Sequence, residues 1–369
     1  MKIAQIRATI HAAASAAPLL REPIEDYRGG PPRPFVACRV RTDAGLIGHG
    51  FTGRFLAPQV ADLLETAILP EISDMDPCDP PAVQRRLRER LNPRGMTGVI
   101  ASAMSALDIA LWDIRGQAEG RSIAAMIGGA RDSVPVYVTF GMPQYDIGRL
   151  VEAARRMVAD GYRMLKMVVA VDPGGWREDA RRVHAVCDAI EGRAQLIVDA
   201  NEGFTAKSAR RLAQDIRDRP IAWFEEPVAG NDAMELARLR DETGIRVGAG
   251  QMEADPRIFA LLLDRDAVDI LQPNVLYCGG FSGGTAIADA AARHAIRLAN
   301  GAGWRLINMH LLAGVPNGWV LEHHIAQSGV EAALFVDPPN PVDGRVAIPE
   351  NPGLGLEVSQ EGLDATQLR

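Results

Sequence analysis

The spacing of apolar positions changes twice along the chain, and each change marks a different kind of element. Residues 2–10 alternate apolar and polar positions and predict a strand. Residues 11–34 break the pattern with Pro18, Pro23, Gly29, Gly30 and a PPRP run. They predict a long irregular loop, of a length that in compact domains points to a lid over a site. The run FVACRVRTDAGLIGHGFT predicts two strands around the turn residues Asp43, Ala44 and Gly45. From Pro58 to Ile127 the period is helical. PQVADLLETAILPEI and PAVQRRLRERL are amphipathic, whereas VIASAMSALDIALWDIRGQAEG is apolar nearly all round, as in a buried helix. That helix is expected to stop at Gly120, with one short helical turn before the Gly128–Gly129 break.

Beyond residue 134 short apolar runs alternate with amphipathic segments of helical length. Strands are predicted at 134–140, 163–169, 195–200, 221–226, 245–250, 267–273, 296–300 and 318–323, with helices such as DIGRLVEAARRMVADG and GTAIADAAARHA between them. No Gly-rich phosphate fingerprint follows the first of these strands. Eight β/α repeats therefore fit a closed (β/α)8 TIM barrel of the α/β class better than an open doubly wound sheet. The tail after about residue 330 is rich in Pro and Gly and has no ninth repeat, so it is expected to pack back on the N-terminal region.

Composition narrows the possible partners. A chain of 369 residues with 47% apolar and 24% charged residues can bury a large core. Its net charge of −7 argues against nucleic acid or an anionic membrane surface as a partner. No apolar run approaches the roughly 18 residues of a membrane span. Cys38, Cys78, Cys187 and Cys278 lie far apart, as expected of reduced thiols in a cytoplasmic protein. The start MKIAQIRATI reads as a strand rather than a signal peptide.

Three polar residues give the repeat its chemistry. Asp199, Glu225 and Gln251 follow one another at equal spacings of 26 residues, each closing a short apolar run. In a barrel the C-terminal strand ends open onto one face, where active sites are built. Three oxygen-bearing side chains converging there suit one hard cation such as Mg2+.

The motifs ALDIALWDIRGQ, VDANE, FEEP, DILQPN and CGG, in that order over nearly the whole chain, resemble the enolase superfamily in its mandelate racemase/muconate lactonizing enzyme branch. The resemblance implies an α+β capping domain formed by residues 1–130, a barrel over 131–329, and a C-terminal segment, 330–369, returning to the cap. It implies one Mg2+ ion, abstraction of the proton α to a carboxylate through an enediolate, and assembly as a homo-oligomer.

Carried onto this sequence, Asp199 and Glu225 match the first two metal positions. Gln251 stands where the family has Glu, so the third ligand is a neutral amide that weakens the site. Glu253, two residues on, is an alternative third ligand. Of the family's Lys-x-Lys pair only Lys166 is present, with Val168 at the second position. Lys166 is either the base or a buried partner of a metal-site carboxylate. The family's distal Asp and His fall on Asn274 and on Gly301 or Asn300, which cannot exchange protons. Racemisation needs a base on each face and is therefore the least favoured reaction.

Glu322 matches the group that hydrogen-bonds the substrate carboxylate, with His323 or His324 after it in reach of the pocket. Asn201 matches a substrate-contacting position. Arg54, with Arg28 and Arg33, is a candidate contact from the lid. His310 and His294 lie on helical patterns and read as structural. The expectation is a lyase, a Mg2+-dependent dehydratase of acid sugars or hydroxy acids. The alternatives are a diverged ligand-binding homologue, or an isomerase such as a racemase, epimerase or cycloisomerase.

Overall fold

The computed structural model describes residues 1–13, 32–53, 55–92 and 96–368. Strands β1 (Ile3–Ala13), β2 (Arg33–Thr42) and β3 (Ile47–Thr52) form an antiparallel sheet in that order. β1 runs to Ala13 and β2 starts at Arg33, so the irregular stretch is shorter at both ends than 11–34. The ladder pairs Ala13 with Arg33 and satisfies backbone groups that a loop would leave to water. What remains of the expected lid, with Arg28, lies outside the described residues, as does Arg54.

Helix α1 (Ala57–Leu63) continues through a π turn at Leu64–Ile68 into α2 (Leu69–Ile72). It is followed by α3 (Pro80–Arg90), whose N-cap Asp79 accepts from the Ala82 amide at 3.0 Å. The apolar helix α4 (Gly98–Glu119) is buried along most of its length and ends at Gly120 in the left-handed conformation, φ 66°. Its contact with β3 depends on missing side chains. A Cβ at Gly48 or Gly50 would lie 2.1 Å from the Ala110 carbonyl oxygen or 1.8 Å from that of Ala106. Strand and helix backbones therefore touch directly, and any side chain there would push the sheet off the helix.

After α5 (Ile123–Ile127) the barrel begins. Its parallel strands are β4 (Ser133–Gly141), β5 (Met164–Val168), β6 (Gln195–Asp199), β7 (Ile221–Glu225), β8 (Val247–Ala249), β9 (Ile270–Leu271), β10 (Arg297–Ala299) and β11 (Gly318–His324). All eight overlap the predicted runs. β11 pairs with β4 and closes the barrel, Glu322 opposite Tyr137 and His324 opposite Thr139. The intervening helices run from α6 (Ile147–Ala159) to α12 (Arg305–Gly314). Asp146, Thr205, Asp232 and Asp255 each cap one of them by accepting from a first-turn amide. A ring of apolar side chains inside the strands, including Tyr137, Ile197, Trp223 and Val320, plugs the barrel below the site.

The tail touches both halves. After α13 (Ile325–Leu334), β12 (Arg345–Ala347) adds antiparallel to β4. α14 (Gln360–Thr366) then lies against the cap, with the Leu368 amide bonded to the Ile10 carbonyl at 2.7 Å and His11 Nδ1 3.1 Å from the Leu363 carbonyl.

Candidate active site

Strand alternation turns Lys166 on β5, Asp199 on β6, Glu225 on β7 and Glu322 on β11 toward the barrel axis at the C-terminal face, where they meet. Lys166 Nζ lies 3.0 Å from Asp199 Oδ2, 2.7 Å from Glu225 Oε1 and 2.9 Å from Glu322 Oε1. All four residues are buried, none more than 3% exposed. Three carboxylates around one ammonium leave an excess of negative charge in a low-dielectric pocket, an arrangement that favours a further cation.

The groups respond to one another. Burial alone would lower the Lys166 pKa, but Glu225, Glu322, Tyr137 and Asp199 outweigh it and hold the ammonium well above its ordinary range. Lys166 thus serves here as the buried partner of Asp199, Glu225 and Glu322. Burial and repulsion from Asp199 push Glu225 up. Burial would also raise Glu322, yet Lys166 and hydrogen bonds from Thr139 Oγ1 (2.5 Å) and the Gly303 amide (2.7 Å) hold it below its usual range. Glu322 therefore accepts hydrogen bonds, and Lys166 is the charged donor beside it.

Gln251 reaches the same cluster with its amide spoken for. Its Nε2 donates to Glu226 Oε2 at 2.8 Å and approaches Asn201 Oδ1 at 3.3 Å, while its Oε1 accepts from the Ala302 amide at 3.1 Å. Glu226 is pushed up to about 7 by burial and by Asp199. Asn201 adopts a left-handed backbone, φ 44°, which Asn tolerates better than most residues, and its amide donates to Asp199 Oδ1 at 2.9 Å. Glu253 turns to Asn231 (3.3 Å) and does not line the cavity.

Asn274 and Asn300, expected at the distal positions, hold backbone groups. Asn274 donates to the Gly301 carbonyl at 2.8 Å and accepts from the Leu276 amide at 3.0 Å. Asn300 Oδ1 accepts from the Glu322 amide at 2.8 Å and fixes the strand that carries Glu322. His310 is buried and bonds the Leu354 carbonyl at 3.0 Å, and His294 sits on the surface 3.9 Å from Asp264.

Above the cluster opens a cavity of about 690 Å³, lined among others by Arg33, Lys166, Asn201, Tyr277, Trp304 and His324. That volume lies within the range of small-molecule sites. His323, expected among the substrate contacts, is not there. It points to the outside of β11, stacks on Tyr162 with ring centroids 6.0 Å apart, and lies 3.4 Å from Arg305 Nη1. Period-two alternation explains the correction: if Glu322 faces the axis, His324 does too, and His323 cannot. Thr139 was missed altogether, although its strand was predicted.

Residues 28–128 match the mandelate racemase / muconate lactonizing enzyme N-terminal domain, and residues 149–362 match the enolase C-terminal domain-like family. The chain belongs to the mandelate racemase/muconate lactonizing enzyme branch of the enolase superfamily. It is 30% identical to the D-galactarolactone cycloisomerase of Agrobacterium fabrum, covering 90% of each chain. It is 29% identical to the D-xylonate dehydratase of Haloferax volcanii, over 90% of this chain and 85% of that one. Among solved structures, the L-talarate dehydratase of Polaromonas sp., complexed with Mg and L-glucarate, superposes with a TM-score of 0.88 at 26% identity, covering 100% of this chain and 98% of that one.

Proposed function

We propose that this protein is a Mg2+-dependent acid-sugar dehydratase that removes the proton α to a carboxylate and expels the β-hydroxyl as water. The observation that carries the reading is the convergence of Lys166 with Asp199, Glu225 and Glu322 at the floor of the cavity. Relatives named as dehydratases of D-xylonate, of L-talarate and galactarate, and of arabinonate support the substrate class.

The donor chemistry fits the metal. Asp199 and Glu225 supply adjacent anionic oxygens, in register on neighbouring strands. Gln251 supplies a neutral amide oxygen as the third. A neutral third ligand lowers the affinity of such a site for the ion. When bound, the ion would stabilise negative charge developing on the substrate carboxylate. Lys166 adds a fixed positive charge on the same side, and Glu322 accepts a hydrogen bond from a substrate hydroxyl. Asn201, beside Asp199, contacts the sugar chain, and the aromatic walls of Tyr277 and Trp304 exclude water.

A cytoplasmic location and assembly as a homo-oligomer belong to the same proposal. The four unpaired cysteines support the first and the family resemblance the second. No helix among the described residues is long and apolar enough to cross a membrane.

Proton NMR in D2O with Mg2+ and a panel of acid sugars tests the reading. Loss of the α-proton signal and growth of a 2-keto-3-deoxy product is the expected result. Absence of exchange across the panel at millimolar Mg2+ would overturn it. Cycloisomerisation is the second reading, favoured by the relative at 30% identity. It shares the proton abstraction but yields an isomer of the substrate without loss of water.

A further inference from the structure

We propose that His324 is the acid–base residue that moves the proton in this cavity. The inference rests on the α-proton chemistry proposed above and supplies the base that Val168, Asn274 and Gly301 no longer provide.

His324 closes β11 two positions after Glu322, so the strand turns both toward the cavity. Its register partner across the barrel seam is Thr139, which lines the same cavity and donates to Glu322. The other acid–base groups lining the cavity are engaged. Lys166 is bound by three carboxylates, and Asp199 by Lys166 and the Asn201 amide. Glu322 is held by Lys166, Thr139 and the Gly303 amide, and Glu331 by the Leu306 amide and Arg305. His324 differs. Its Nδ1 is shut off from solvent and has no hydrogen-bond partner among the described residues. Buried polar groups are rarely left so; on a side chain that lines a ligand cavity, a partner arriving with the ligand explains it. Burial also keeps the imidazole below its ordinary range, so the neutral, proton-accepting form prevails at pH 7.

In the step proposed, an imidazole nitrogen takes the α-proton and the C–H electron pair passes into the enediolate. Collapse of the enediolate breaks the β C–O bond, and the departing hydroxyl takes the proton from the imidazolium and leaves as water. The sequence is redox-neutral and returns His324 to its starting state. One residue serves both transfers when proton and hydroxyl leave from the same face, so syn elimination is expected.

The test uses the full chain with Mg2+ and whichever acid sugar the wild type turns over. For His324→Ala, kcat is expected to fall by about 10²-fold or more while KM changes little, and added imidazole should restore part of the rate in proportion to its concentration. His324→Gln, which keeps a polar side chain, should be equally slow. If His324→Gln turns over at the wild-type rate, His324 is not the acid–base residue. The proposal also fails if His324→Ala folds, binds Mg2+ normally, is slow and gains nothing from imidazole. Should the alanine variant not fold, the rate of His324→Gln decides. A wild type that exchanges no α-proton overturns the reaction itself, and the role of His324 falls with it. That outcome is distinct from an active wild type with an active His324→Gln.

Discussion

Gln251 stands in the space that any side chain at position 301 would need. A Cβ on Gly301 would lie 2.6 Å from the Gln251 Cβ, 2.8 Å from its Oε1 and 3.2 Å from Glu225 Oε1. A side chain at position 301 and the present conformation of Gln251 therefore exclude one another. Gly301→Ala should cost about 1–3 kcal/mol by overpacking, and adding Gln251→Gly, which removes the Cβ as well, should recover part of that loss. Denaturant unfolding of the two single variants and the double variant measures the coupling. Additive losses would separate the two positions.

Restoring the carboxylate isolates its electrostatic part. Gln251→Glu places a second carboxylate against Glu226, to which Gln251 now donates at 2.8 Å. Without metal this variant should melt below the wild type. With millimolar Mg2+ it should gain more in Tm than the wild type does, because binding to the folded state stabilises it. Titration calorimetry should show tighter Mg2+ binding, and equal affinities would mean that position 251 does not face the ion.

Lys166→Met removes the cation that touches three buried carboxylates. Deleting one partner of a buried ion pair typically costs about 3–5 kcal/mol, and here three anions are left facing one another. Added Mg2+ should return part of the stability, since it supplies the missing charge. A variant as stable as the wild type in the absence of divalent ions would contradict the network.

The fold was largely legible because its signals are local. Each barrel strand is a short apolar run with a breaker after it, and Gly120 ends α4 where the pattern stops. Asp199 and Glu225 stand out because they close such runs. What the sequence hides is contact at a distance. Nothing local to Lys166 says that Glu322, on the last barrel strand, will share its charge. Which of His323 and His324 faces the cavity is a question of another kind, since the alternation that settles it is already implicit in placing Glu322. The stretch expected to form a lid, and Arg54 with it, carries no periodic signal at all.

Asn274 tests whether a lost base can be restored by one substitution. Asn274→Asp would recreate the acid of the family's distal pair, but its intended partner is Gly301, whose carbonyl Asn274 now holds at 2.8 Å. A carboxylate cannot make that donation and would face the carbonyl instead. The variant should lose about 1–3 kcal/mol and gain no α-proton exchange. Faster exchange in D2O would show that the pocket still accommodates an acid there.

Acid lability should be traceable to a histidine far from the chemistry. His310 is fully buried, and burial depresses its pKa to about 4 despite the bond to the Leu354 carbonyl. The unfolded chain, titrating near 6.5, binds the proton more readily than the folded one. The stabilisation linked to neutral His310 is therefore complete above about pH 6.5 and declines as pH falls toward 4. Between pH 7 and pH 5 this amounts to about 2 kcal/mol for one such group. His310→Gln cannot take up that proton, so its stability should fall less steeply over the same interval, whatever its starting value at pH 7. His49 and His323, depressed by burial to about 4 and about 3, remain in both proteins and cancel from the difference. Urea midpoints for the two proteins at pH 7, 6 and 5 decide the matter, and parallel losses would show that His310 is not the group that titrates.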